Sequence, residues 1–177
     1  MSEDKAVAFD SGCISAGNFA AASFVTKAKL PMLLCSILPR LPDEQKWAFS
    51  FLPPPKFDVD VRYEYLKKHT DIRKVGLLGD PSPYGLLMRK LAEKEAAEYG
   101  LQVVANESYQ QDDSDFGVQI GRINAAGAGA VIMIGQGNAV ITTSNNIKQL
   151  GLNKMLLLSS INERPIVLAA GKILGEQ

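Results

Sequence analysis

Residues 74 to 105, KVGLLGDPSPYGLLMRKLAEKEAAEYGLQVVA, decide the fold. Val75 to Leu78 is a short unbroken apolar run, the pattern of a strand buried on both faces of a parallel sheet. Tyr84 to Tyr99 then reads as an amphipathic helix, with Leu87, Leu91 and Ala92 apolar and Arg89, Lys90, Glu93, Lys94 and Glu95 solvated. Gly100 stops that helix before Val103 to Ala105 starts a second apolar run, as expected of a glycine just past a helix end. Strand, helix and strand in this order form a βαβ unit.

The same alternation extends in both directions. Ala6 to Phe9, Met32 to Cys35, Ala130 to Ile134 and Met155 to Leu158 are further runs of strand length, and Gly151 ends a helical segment from Thr142 to Leu150. The fold class is therefore α/β, a three-layer arrangement with a parallel sheet and helices on both faces. Asp115 is placed to cap a helix running through Ile123, with Asp112 and Asp113 near its positive end. His69 follows Lys67 and Lys68 at a helix end, where a cation suits the dipole and no catalytic role is needed. Ile37 to Lys56 breaks the pattern, carrying Pro39, Pro42, Pro53, Pro54 and Pro55 around the apolar run Trp47 to Leu52. It reads as a connection, one edge-like strand and a domain boundary.

Composition removes several classes of function. The 177 residues carry 19 Lys plus Arg and 19 Asp plus Glu, so no net field attracts nucleic acid or an anionic membrane. The longest apolar stretch, Ala125 to Gly135, is too short to span a bilayer, and Met1 to Asp10 lacks the apolar region of a signal peptide. Cys13 and Cys35 are too few for a disulfide scaffold, and with one histidine they do not make a zinc set. They end consecutive strands within reach of a disulfide, but free thiols are the expectation.

Two motifs invite chemistry and fall short of it. Gly135-Gln136-Gly137-Asn138-Ala139-Val140 follows a strand like a dinucleotide fingerprint, but Val140 stands where close packing needs Gly or Ala. No acid follows at the ribose-binding distance, so no cofactor is expected. Gly12-Cys13-Ile14-Ser15-Ala16-Gly17 misses the spacing of a nucleophile elbow by one position, and no base accompanies it. Ser15 and Asn18 at a helix start offer polar groups to an anion instead. Ligands of open α/β sheets sit at the C-terminal strand ends. Here those ends are Ser11 to Ser15, Ser36, Asp80 to Tyr84, Gly135 to Gly137 and Ser159 to Asn162. They are rich in hydroxyls and glycine, uncharged apart from Asp80, and suit capture of a small metabolite. The alternative is an α/β enzyme or nucleotide-binding domain of flavodoxin-like or Rossmann-like fold.

The order of these pieces resembles the extracellular ligand-binding receptors of ABC transporters, the type I periplasmic binding proteins of the leucine/isoleucine/valine class. The matching pieces are Cys13-Ile14-Ser15, Leu30-Pro31-Met32-Leu33-Leu34, Lys74 to Leu78, Tyr84-Gly85, Gly100 before Val103 to Ala105, and Asp115-Phe116. The resemblance implies a truncated receptor: 1–52 the end of the first lobe, 53–56 the crossing, and 57–177 an incomplete second lobe. It also implies a periplasmic solute-binding protein that is not an enzyme, delivering an amino acid or aromatic carboxylate to an inner-membrane ABC permease. From the first lobe, Cys13, Ile14, Ser15, Ser36 and Ile37 would hold the ligand carboxylate. From the second, Tyr84 would close over the ligand, with Gly135, Gln136 and Ser160 beside it. Relatives specific for amino acids present an acid after the last strand. Ser159-Ser160-Ile161-Asn162 has none, with Glu163 one or two places late, which points to an amine-free aromatic acid. Uncovered sheet edges and helix faces in so short a chain lead to an expectation of self-association.

Overall fold

The computed structural model describes residues 6–11, 15–35, 46–110 and 112–175. The chain divides into two compact units, Met1–Phe57 and Asp58–Gln177. In the first, β1 (Phe9–Asp10), β2 (Met32–Leu34) and β3 (Ala48–Ser50) form a parallel sheet in the order β1-β2-β3. The intervening helix α1 (Ser15–Ala28) buries Val25 against Met32 and Leu34, and Phe9, Ala21, Leu30 and Ala48 complete this small core. β3 pairs with β2 alone, so the apolar run between the prolines does form an edge strand.

Cys35, directly after β2, is disulfide-bonded, which overturns the expectation of free thiols. The physical reason is register: β1 and β2 are parallel neighbours, Phe9 facing Met32 and Asp10 facing Leu33, so the segments leaving their C-terminal ends start side by side. The other cysteine of the sequence, Cys13, lies outside the described residues.

The second unit opens in α2 (Pro55–His69), whose first turn contains the boundary between units. It continues through β4 (Lys74–Gly79), α3 (Pro83–Glu95), β5 (Gln102–Ser108), α4 (Gly117–Ala125), β6 (Ala130–Ile134), α5 (Asn138–Gln149), β7 (Met155–Leu158) and α6 (Arg164–Leu174). Every pairing in its sheet is parallel, in the order β5-β4-β6-β7. β4 and β6 are central and buried almost throughout, as their unbroken apolar runs require. Leu78, Val131 and Met133 join a core with Ile120 and Ile123 of α4, Val140 and Ile147 of α5, and Ala170 of α6. Gly76 on this face has no room for a side chain, because a Cβ there would overlap the Ile123 side chain. The opposite face is covered by α2, through Val59, Tyr63 and Leu66, and by α3, through Met88 and Ala92. The Tyr63 hydroxyl ties these two helices by donating to the Ala92 carbonyl at 2.7 Å. Helices thus cover both faces of one parallel sheet.

Local details refine the sequence reading. The helix expected to reach Tyr99 tightens after Glu95 into a 3-10 turn, Ala96–Tyr99, which satisfies last-turn carbonyls before Gly100 turns left-handed at φ 69°. Asp115 does not cap its helix alone. Its Oδ1 accepts from the Gly117 amide at 2.8 Å, while Asn146 Oδ1 from α5 accepts from Phe116 at 2.8 Å. Val140 is fully buried, which is why that place of the glycine motif carries a large apolar side chain.

Candidate functional site

The ends of β4, β6 and β7 carry the polar groups of the second unit, and Tyr84 is fixed most firmly among them. Asp80 Oδ1 accepts from the Ser82 amide at 2.9 Å, and Ser82 Oγ caps α3 by accepting from the Gly85 amide at 3.1 Å. Pro83 supplies the preset φ of a first helical position. A Cβ at Gly85 would overlap the Asp80 carbonyl, so the Tyr84-Gly85 pair needs its glycine to seat the helix on the strand end. Tyr84 therefore projects from a braced first turn.

Its hydroxyl enters a polar chain that the sequence did not reveal. Tyr84 Oη lies 2.9 Å from Ser159 Oγ, and Ser159 Oγ donates to Asp58 Oδ2 at 3.2 Å. The Ser160 amide donates to Asp58 Oδ1 at 2.9 Å. Arg62 closes the chain, Nη2 to Asp58 Oδ2 at 2.6 Å and Nε to the Asp58 carbonyl at 2.9 Å. Asp58, Arg62 and Ser159 are all buried. A hydroxyl has a single proton, and that of Ser159 is committed to the carboxylate, so Tyr84 donates to Ser159. The Tyr84 oxygen is left as an acceptor toward anything that approaches it. Burial raises the Tyr84 pKa, only partly opposed by the Ser159 hydrogen bond, and the Asp58 charge raises it further, so the phenol stays protonated.

A cavity of about 240 Å³ lies beside this chain, lined by Gln136 and Gly137 after β6 and by Ile161, Glu163 and Ile166 after β7. Asn162 Nδ2 joins the two strand ends by donating to the carbonyls of Gly135 and Ser159, each at 3.1 Å. Gly135 is buried, and a Cβ there would overlap the Tyr109 hydroxyl, so this glycine serves packing. Gly137 begins α5 at φ 61° and ψ −131°, a conformation glycine adopts at little steric cost. No group of three or more metal-ligating side chains, and no helix long and apolar enough to cross a membrane, occurs among the described residues.

The expected site residues fall into two sets. Tyr84, Gly135, Gln136 and Ser160 all stand at C-terminal strand ends of one sheet, and Ser160 neighbours the serine that Tyr84 engages. Ser15 begins α1, and Cys13, Ile14, Ser36 and Ile37 lie outside the described residues. Sequence reading missed Asp58, Arg62 and Ser159. One signal was present: Asp58 and Arg62 share a helix face with Val59, Tyr63 and Leu66, so an acid and a base four places apart fall on the apolar side of α2.

Comparison with known proteins agrees with this geometry. A family model described as periplasmic binding protein matches residues 1–175. An extracellular ligand-binding receptor from Rhodopseudomonas palustris HaA2 superimposes with a TM-score of 0.86 at 24% identity, covering 97% of this chain and 48% of that one. A branched-chain amino acid ABC transporter structure from Thermus thermophilus with bound valine gives 0.83 at 23%, over 94% and 44% of the two chains. The substrate-binding protein LivJ from Streptococcus pneumoniae, in complex with isoleucine, gives 0.79 at 22%, over 95% and 48%. A search of curated proteins finds no match. The chain belongs to the periplasmic binding protein family and has a truncated form of its type I fold, spanning about half the length of these receptors. That family is one of ligand binders, and the α/β-enzyme alternative is set aside.

Proposed function

We propose that this chain is part of the solute-binding component of an ABC transporter, and that its ligand is a small amino acid. Residues 1–52 belong to the first lobe, 53–56 to the crossing and 57–177 to the second lobe. The strand ends bearing Tyr84, Gly135, Gln136 and Ser160 supply the second lobe's wall of the site, and Ser15 with its neighbours supplies the carboxylate end. The observation that carries the reading is the direction of the Tyr84 hydrogen bond. A phenol oxygen that has given its proton to Ser159 accepts from a ligand ammonium and cannot donate to a ligand carboxylate. Glu163, in the cavity beside Gln136, supplies a counter-charge. The structures with valine and isoleucine bound fit the same reading. The Cys35 disulfide fits the oxidising periplasm, where a permease partner would receive the ligand.

A second reading, an amine-free aromatic carboxylate, draws support from Asp58, whose oxygens are already engaged by Arg62, Ser159 and Ser160. Calorimetric titration with leucine and with benzoate separates the two. Leucine should bind, and Tyr84→Phe should weaken it by about 1.5 to 3 kcal/mol, as for a hydrogen bond to a charged group. Benzoate binding without a leucine response would overturn the amino-acid reading, and silence toward both would overturn ligand capture by this chain alone.

A further inference from the structure

The two edges of the second sheet are built differently. β5 is a guarded edge: Gln102, Asn106, Glu107 and Ser108 make it polar, and its register with β4 shifts by one residue between Val75 and Gly76. Asn106 and Glu107 are also engaged by Arg89, Glu93 and Arg122. Polar side chains and an irregular register are how natural sheets discourage pairing with another chain. β7 has none of this. Its four residues, Met155-Leu156-Leu157-Leu158, are apolar and only half-buried, while β6 beside it is wholly buried. Among the described residues β7 pairs with β6 alone.

The helices beside that edge are unguarded too. On α2, Tyr63 reaches α3 while Asp58 reaches the end of β7, so the two flanks of the helix are identified. Phe57, Val61 and Tyr65 follow one another at four-residue intervals around the Asp58 flank, away from α3, and Val61 and Tyr65 are 50% and 47% exposed. On the other face of the sheet, α6 leaves Val167 exposed and Leu168 55% exposed. An apolar edge strand between two exposed apolar helix ridges is a continuous acceptor surface.

We infer that the β7 edge is a docking surface for a second copy of this chain, related by a two-fold axis normal to the sheet. That operation sets β7 antiparallel to its copy and continues the four strands of each copy into one sheet. It also lays α2 antiparallel to the partner's α2. Asp60 and Glu64 then face Lys67 and Lys68 across the axis, so the charges flanking the ridge are self-complementary. The inference stands on this surface and does not depend on the ligand reading.

Sedimentation equilibrium of the purified chain over the micromolar range tests it, with hydrogen exchange read at several concentrations. The expected result is a dimer in which the amides of Met155 to Leu158 gain protection as concentration rises. Val61→Asp on α2 and, separately, Leu168→Asp on α6 should each weaken association at least about tenfold with unchanged circular dichroism. A monomer throughout the range would overturn the inference. So would a dimer indifferent to both substitutions, or one whose β7 amides exchange equally fast at every concentration.

Discussion

Replacing Asp58 by leucine leaves a buried guanidinium without its partner. Arg62 is 5% exposed, its Nη2 bond to Asp58 is 2.6 Å long, and its Nη1 has no partner among the described residues. Removing one member of such a pair costs about 3 to 5 kcal/mol, because the survivor stays desolvated and uncompensated. Arg62→Met should fall near the lower end, about 3 kcal/mol, since Ser159 Oγ and the Ser160 amide continue to serve the carboxylate. The double variant should be far milder than the sum. An apolar pair of similar volume is close to neutral in such places, and the remaining cost is about 1 kcal/mol for the lost acceptor of Ser159. Urea unfolding of the four proteins, followed by circular dichroism and extrapolated to water, measures this directly. The reasoning requires strong coupling between the two sites. Additivity within about 0.5 kcal/mol would refute it, because residues that do not share an interaction add to that accuracy.

Gly135→Ala should destabilise by about 1 to 3 kcal/mol through overlap with Tyr109, and Tyr109→Phe should recover part of that by removing the hydroxyl, as thermal melts of the three variants would report. The phenols of Tyr63, Tyr84 and Tyr109 are pushed above their ordinary value of 10.0, chiefly by burial. Their contribution to stability should therefore be constant below pH 10 and decline as pH rises above it, where the unfolded chain ionises first. Ultraviolet difference titration should show Tyr65 and Tyr99 ionising before these three. Cys35→Ser should cost about 2 to 4 kcal/mol in urea unfolding under oxidising conditions and nothing after full reduction.

The fold was legible because buried parallel strands leave a plain trace. Ala130 to Ile134 and Met155 to Leu158 are strands with the same limits in sequence and structure, and Gly100 and Gly151 both adopt the positive φ that ends a helix. The site was legible in part for a related reason. Strand ends carry the ligand-facing residues in such sheets, and Tyr84, Gly135, Gln136 and Ser160 stand there. The buried chain behind them was not legible. Asp58 and Ser159 are 101 residues apart and meet only through the packing of α2 beside β7. No local period records that meeting, and an acid four places before a base on a helix ordinarily signals a solvated face.

The strand order also sets a timetable for synthesis. β4 is the first strand of its sheet to be made, yet its two neighbours are β5 and β6, so it remains half-paired until Ile134 has emerged from the ribosome. Gly76 meets Ile123 of α4 just before that point, which couples helix docking to closure of the sheet. During translation the decisive event is thus the arrival of β6. A slow codon stretch just upstream of it would lengthen the time for which the apolar face of β4 stands uncovered, while one placed after β7 would leave that interval unchanged.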